Sequence, residues 1–327
     1  MTTSHTPDLV LVLDPIHEDG IARLARSFRL KLPGEKLTQD DLSQATAAVV
    51  RAFEVNTPWL DQTPRLRIVT KHGSGVDNID VPAATAHGVM VANTPGGANS
   101  TAVAEGAVAL MLAVLRRVRE MDAVVRENRF GERWKLRLGD LTGGRLGLVG
   151  FGQIARVTAR IGGAGFGMSV SAFDPFVSAE DMAQVGVTKV ENLVDLMAGS
   201  DVISVHVPLS ARTRHLIGAT ELAAMPAHGI IVNTSRGGLI HEPSLVEALR
   251  EGRIAGAGID VFDVEPPPAD DPLFSLPNVV LSPHVAGVTN GSMRDMALNV
   301  AKVVEHALAG GRPATLLNPD VLAGAAS

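Results

Sequence analysis

The run RLGLVGFGQIA, Arg145 to Ala155, constrains this chain more than any other stretch: a β-rich segment leads directly into Gly150-x-Gly152-x-x-Ala155. In such a turn the first glycine allows the tight bend and the second lets the backbone approach a pyrophosphate. The third small residue lets a helix pack on the strand. With 33 glycines in the chain, a chance match is a live alternative. Context argues for the motif. It follows a predicted strand and opens a predicted helix, and Asp174 stands 19 residues after Ala155, at the end of the apolar run SVSAF. A carboxylate there can accept from both ribose hydroxyls of a dinucleotide; a cap before Pro175 is the other account. Neither Pro175 nor Phe176 offers a cation to a 2′-phosphate, and Asp174 repels one, so NAD is expected over NADP. Gly150, Gly152, Gln153, Ile154 and Asp174 are the cofactor candidates from this segment.

The rest of the chain has the rhythm such a motif needs. Strands are predicted at 145–149, 169–173, 202–205, 229–232, 256–259 and 279–281, with helix-like segments between most of them, as in a doubly wound sheet. Upstream, DLVLVL, AAVV (47–50), RIVT (67–70) and VMVAN alternate with helical runs, predicting a second set of parallel strands with crossovers. Asp80-Val81-Pro82 reads as a helix start, and Asn93 to Gly97 as a boundary. One long helix is predicted over 100–127 and a last one over 292–308.

Composition removes whole classes of function. The 327 residues carry a net charge of −6 and no block of consecutive basic residues, so nucleic acid is not an expected partner. The absence of cysteine excludes disulfides, thiolate metal sites and cysteine nucleophiles. The apolar run 107–115 falls well short of the roughly 18 residues that span a bilayer, and MTTSHTPD has no signal-peptide character. A cytoplasmic protein without membrane association is expected.

Three polar residues follow apolar strands: Arg236 after GIIVNTS, Glu265 after DVFDV and His284 after VVLSP. Strand C-termini line the ligand crevice of an open parallel sheet, so all three can face one ligand. Singly, each has a plainer account: an ion-paired arginine, a glutamate in a proline-rich loop, a histidine satisfied in the core. Their shared position favours a joint role.

GSGVDNID (73–80), NTPGGANSTAVAE (93–105), VGFGQIAR (149–156), HVPLSARTRHLI (206–217), NTSRGGLI (233–240), GIDVFDVEPPP (258–268) and SPHVAG (282–287) occur in order across nearly the whole chain. In this the chain resembles the D-isomer-specific 2-hydroxyacid dehydrogenases, especially the phosphoglycerate dehydrogenase-like branch, here without a C-terminal regulatory domain. The resemblance implies an α/β architecture of two parallel-sheet domains, Rossmann-like and flavodoxin-like. The NAD domain, 98–288, is inserted into a substrate domain of 1–97 and 289–327. It implies that Arg236 holds the substrate carboxylate and keto oxygen, that His284 is the acid/base, and that Glu265 is its partner, favouring the charged imidazole and fixing its tautomer. Asp260 and the backbone of Thr234, Ser235 and Arg236 are implied at the nicotinamide and its ribose, His284 and Gly287 as further cofactor contacts, and Val207, Pro208 and Thr213 on the adenosine side. Ser74 and Gly75 are implied to offer N–H groups to the carboxylate; a mere tight turn is the alternative. The chemistry implied is hydride exchange with NAD while His284 moves the proton, with no metal, in a homodimer.

Arg51, Lys71 and His72 border the carboxylate loop in sequence. Arg51 lies in a segment resembling one whose arginine approaches the substrate's distal anion, although Ala52 replaces the following serine. Either these are solvated surface charges, or the substrate carries a polar or anionic group at C3, as in phosphoglycerate or hydroxypyruvate. Two other classes stay open: an NAD-sensing corepressor-like protein of the same fold, and a formate- or phosphite-type dehydrogenase.

Overall fold

The structure is a computed structural model and describes residues 7–322. The chain divides into two compact units, one taking residues up to Asn99 and again from Thr289, the other Ser100–Val288.

In the first unit five strands, β1 (Leu9–Val12), β2 (Arg29–Lys31), β3 (Ala45–Val50), β4 (Ile68–Lys71) and β5 (Met90–Ala92), form a parallel sheet in the order β2-β1-β3-β4-β5. That is the flavodoxin-like winding. β1 and β3 are buried at every position, as expected of parallel strands covered on both faces. The helix Asn290–Leu308 returns to this unit and buries Val300, Ala301 and Val304 with Val10, Val49 and Ile68. Thr289 caps it by accepting from Ser292 N–H. Gly20 permits the close approach of the helix Glu18–Leu24, since a Cβ there would lie 2.8 Å from the Ala297 carbonyl oxygen. Asp80 is the N-cap foreseen, its carboxylate accepting from Ala83 N–H.

The second unit holds β6 (Arg145–Val149), β7 (Ser169–Phe173), β8 (Thr188–Lys189), β9 (Val202–Val205), β10 (Ile230–Asn233), β11 (Gly256–Ile259) and β12 (Val279–Leu281), all parallel, in the order β12-β11-β10-β9-β6-β7-β8. Counted within the unit this is 3-2-1-4-5-6-7, the Rossmann order with a seventh strand, and its winding reverses between β6 and β9.

The structure departs from expectation in two respects. β2 and β8, of three and two residues, carry too little apolar pattern to stand out. The long helix predicted over 100–127 is two, Ala98–Leu115 and Val118–Arg126, broken where Arg117 takes φ 49°. Beyond the break Arg119 Nη1 donates to the Val279 carbonyl at 2.7 Å, which anchors the second helix to the edge strand β12.

Candidate active site

The glycine-rich turn has the form its sequence dictates. Gly150 sits at φ 89°, and a Cβ on it would lie 2.6 Å from Val207 Cγ1 and 2.9 Å from the His206 carbonyl oxygen, so only glycine fits. Gly152 caps the helix Gln153–Arg160 and faces open space, leaving the backbone approachable, while Ala155 is buried against the sheet. Gln153 and Ile154 form the helix's first turn, where N–H groups favour an anion. Asp174 follows β7, its Oδ2 accepting from Phe151 N–H at 2.8 Å and its Oδ1 from Phe176 N–H at 2.9 Å. Each carboxylate oxygen has a second lone pair for a ribose hydroxyl. The carboxylate therefore also locks the turn, a role the sequence spacing does not announce. The residues present fit a dinucleotide.

The loop after β9 carries Val207 and Pro208 and is closed by Thr213, whose Oγ1 donates to the Pro208 carbonyl at 2.7 Å. After β10, Ser235 Oγ donates to the Val207 carbonyl at 2.5 Å and Asn233 Nδ2 to the Arg236 carbonyl at 2.7 Å. This latches the turn that presents Arg236, whose Nη1 donates to the Ser235 carbonyl. Thr234, at the same turn, is buried. Gly237 is required by packing: a Cβ there would lie 2.0 Å from the Phe262 carbonyl carbon.

That contact presses the Arg236 turn against the loop bearing Glu265. Glu265 Oε1 accepts from Phe262 N–H at 3.0 Å, and its Oε2 meets His284 Nδ1 at 2.7 Å. Because a carboxylate can only accept here, Nδ1 carries the proton of that bond and Nε2 takes no part in it. The pair is partly open to solvent, at 45% and 38% side-chain exposure, and borders an apolar recess of about 370 Å³ lined by Phe262, Phe274, Leu281 and Pro283 among others. Asp260, 1% exposed, gives Oδ1 to Val285 N–H and Oδ2 to Ala286 N–H, both at 2.9 Å. It shapes the turn running from His284 to Gly287, a task beyond the cofactor contact implied by resemblance.

In the first unit, Gly73 (φ 137°) donates its N–H to Thr94 Oγ1 at 2.9 Å, and Asn93 Nδ2 donates to the Ser74 carbonyl at 2.8 Å. The Ser74 and Gly75 N–H groups are left without a partner among the described residues, as donors to a ligand must be. Asp14, not singled out from sequence, gathers the backbone N–H groups of Arg51, Ala52 and Phe53 on Oδ2 at 2.6–3.0 Å. A lone aspartate ending the apolar strand LVLV was the available signal. Lys71 Nζ donates to the Arg51 carbonyl at 2.6 Å and to Asn78 Oδ1, so it ties this loop in place.

His72 corrects the sequence expectation. It is 2% exposed, with both ring nitrogens enclosed. Burial, reinforced by the positive charges of Arg51 and Lys71, pushes its pKa down to about 4, against an opposing influence from the Met293 backbone. The ring is neutral at pH 7 and is not one of the cations bordering the carboxylate loop.

A doubly wound sheet with a glycine-rich first turn, a carboxylate after its second strand and an imidazole–carboxylate pair at its strand ends defines a dinucleotide-dependent oxidoreductase. Residues 108–286 match the NAD binding domain of the D-isomer specific 2-hydroxyacid dehydrogenases. The chain is 39% identical over 323 residues to a glyoxylate reductase of Korarchaeum cryptofilum, covering 96% of each. It is 36% identical to a D-3-phosphoglycerate dehydrogenase of Methanocaldococcus jannaschii, covering 94% of this chain and 59% of that longer one. A solved NADPH-dependent glyoxylate/hydroxypyruvate reductase from Sinorhizobium meliloti, in complex with citrate, superposes with a TM-score of 0.84 at 30% identity, over 95% of this chain and 97% of that one. The protein belongs to the D-isomer specific 2-hydroxyacid dehydrogenase family, and its activity is the NAD-dependent interconversion of a 2-hydroxy acid and its 2-keto acid. No helix among the described residues is long and apolar enough to cross a membrane.

Proposed function

We propose that the preferred substrate is a small 2-keto or D-2-hydroxy acid with a polar or anionic group at C3, of the hydroxypyruvate or phosphoglycerate type. The catalytic part of this reading rests on the 2.7 Å bond between His284 Nδ1 and Glu265. With Nδ1–H engaged, Nε2 delivers a proton to the keto oxygen in reduction and removes it from the hydroxyl in oxidation. Arg236 binds the substrate carboxylate with a planar fork, and Ser74 and Gly75 present N–H donors. NAD, when bound by Gly150, Gly152, Gln153, Ile154 and Asp174, supplies the two-electron chemistry by accepting or giving hydride.

The C3 preference rests on Arg51. Its backbone is fixed by Asp14 and Lys71, and its guanidinium pairs with no carboxylate among the described residues. A charge-assisted contact to a desolvated anion contributes about 1.5–3 kcal/mol, roughly ten- to a hundredfold in selectivity. A second reading, glyoxylate, is favoured by similarity: the chain is 39% identical over 323 residues to the Korarchaeum glyoxylate reductase. Initial rates with NADH decide between them, using phospho-, sulfo- and hydroxypyruvate, glyoxylate, 2-ketobutyrate and 2-ketoisocaproate in the parent and in Arg51→Ala. Preference for the C3-polar acids, lost in the variant, supports the first reading. Glyoxylate preference indifferent to the mutation supports the second, and apolar acids winning in both proteins overturn both. No turnover of any acid favours a corepressor-like role, and turnover of formate or phosphite that other class.

A homodimer fits the exposed apolar side chains Val118, Val125, Phe130 and Trp134, the last 75% exposed; light scattering of the purified protein tests it.

A further inference from the structure

Three polar atoms of the second unit are enclosed and make no hydrogen bond: Ser204 Oγ, His206 Nε2 and Thr234 Oγ1. They belong together. Ser204 of β9 is paired with Val232 of β10, and Val205 with Asn233. Paired residues of parallel strands point to the same face, as do residues i and i+2 of one strand. The two chains stay side by side beyond the ladder, because Ser235 Oγ reaches the Val207 carbonyl. His206 and Thr234 are thus neighbours in register, and with Ser204 they share the face that carries Val202, Ile230 and Val232.

Opposed residues on strands about 4.8 Å apart bring their side chains near one another, yet none of the three atoms bonds directly to another, so a bridging atom at about 2.8 Å from each would join them. Buried polar groups in folded proteins nearly always have partners, and an internal water needs two to four of them. Ser204 is fully buried and Thr234 nearly so; His206 is only half-buried as a residue, but its Nε2 is shut from solvent.

We propose that Ser204, His206 and Thr234 form a closed polar socket that holds one internal water, and that this water ties the segment entering Val207 and Pro208 to the turn presenting Arg236. The socket suits a neutral guest. Two of its walls are hydroxyls, and burial pushes the His206 pKa down to about 4, so the third is an uncharged imidazole. A cation is disfavoured, since no cluster of metal-ligating side chains exists among the described residues. His206 is on this account a positioning residue: it acts on Arg236 through the water and Thr234, and moves no proton of the reaction.

The effect on turnover rests on the role proposed for Arg236, whereas the socket does not, and the experiment separates the two. Crystal structures of the parent and of Ser204→Ala, at a resolution that places waters, are expected to show one water in contact with all three atoms in the parent and its loss or displacement in the variant. A dry socket in the parent, or a direct bond between two of the three groups, overturns the proposal whatever the substrate. In kinetics, His206→Leu is expected to raise KM for NADH and keto acid about tenfold with the pH profile of kcat unmoved, and His206→Asn, which keeps a donor and an acceptor, to recover most of that loss. A pH profile displaced by His206→Leu overturns the positioning role, and so does a KM unchanged in both variants.

Discussion

Asp260 holds His284 in a left-handed backbone conformation. The His284 N–H donates to the Asp260 carbonyl at 2.7 Å with φ at 56°, and the Asp260 carboxylate takes the next two N–H groups in the chain. Such a conformation costs a branched-at-Cα residue on the order of 1 kcal/mol and persists only where surrounding bonds outweigh it. The imidazole is therefore aimed by a buried charge on a neighbouring strand end.

Asp260→Ala is accordingly expected to lower kcat about a hundredfold and to reduce stability by about 1.5–3 kcal/mol, since charge-assisted bonds to two N–H groups are lost. Steady-state kinetics and urea unfolding measure both. An unchanged kcat would mean that the turn keeps its shape without the carboxylate.

Replacing His284 by asparagine should lower kcat by about 10²–10⁴ with NADH binding retained, because proton transfer alone is removed. Arg236→Lys should be severely impaired, an ammonium being unable to reproduce the planar fork. Cofactor titration by fluorescence, run beside turnover, checks that binding survives; full activity of either variant removes that residue from the reaction.

For Asp174→Ala the expectation is a fall of about tenfold or more in the ratio of kcat/KM for NAD to that for NADP, mainly through weaker NAD. The variant also loses the acceptor for Phe151 and Phe176 N–H, so the melting temperature should drop as well. A parent enzyme that uses both cofactors equally would refute the assignment of the carboxylate to the ribose.

His72 makes acid sensitivity predictable in sign. Its pKa of about 4 in the folded state lies below the ordinary histidine value, so the unfolded chain binds its proton first as pH falls. The contribution is fully present above pH ~6.5, is lost between there and pH ~4, and amounts to at most about 3 kcal/mol. Melting temperatures of the parent and His72→Gln between those limits test this. The variant should show the flatter profile, and parallel profiles would exclude His72 as a cause.

Most strands and the cofactor turn were legible because their signals are local. Five of the predicted strands of the second unit, 145–149, 169–173, 202–205, 256–259 and 279–281, keep those bounds, since apolar runs between breakers need no distant partner to be recognised. Gly150 needed only its strand and helix for context, and Asp80 its following proline.

What tertiary structure decided was how loops are held and which charges survive burial. Asp14 grips the backbone at 51–53, Asp174 grips Phe151, and Asp260 grips Val285 and Ala286, each across at least 23 residues of chain. Side-chain bonds to backbone over such separations leave no period or spacing to read. The same limit applies to Lys71 and His72, adjacent in sequence and both basic. One is a tether on the Arg51 carbonyl and the other an enclosed neutral ring, because charge in a folded chain depends on desolvation and on neighbours that only the fold brings together.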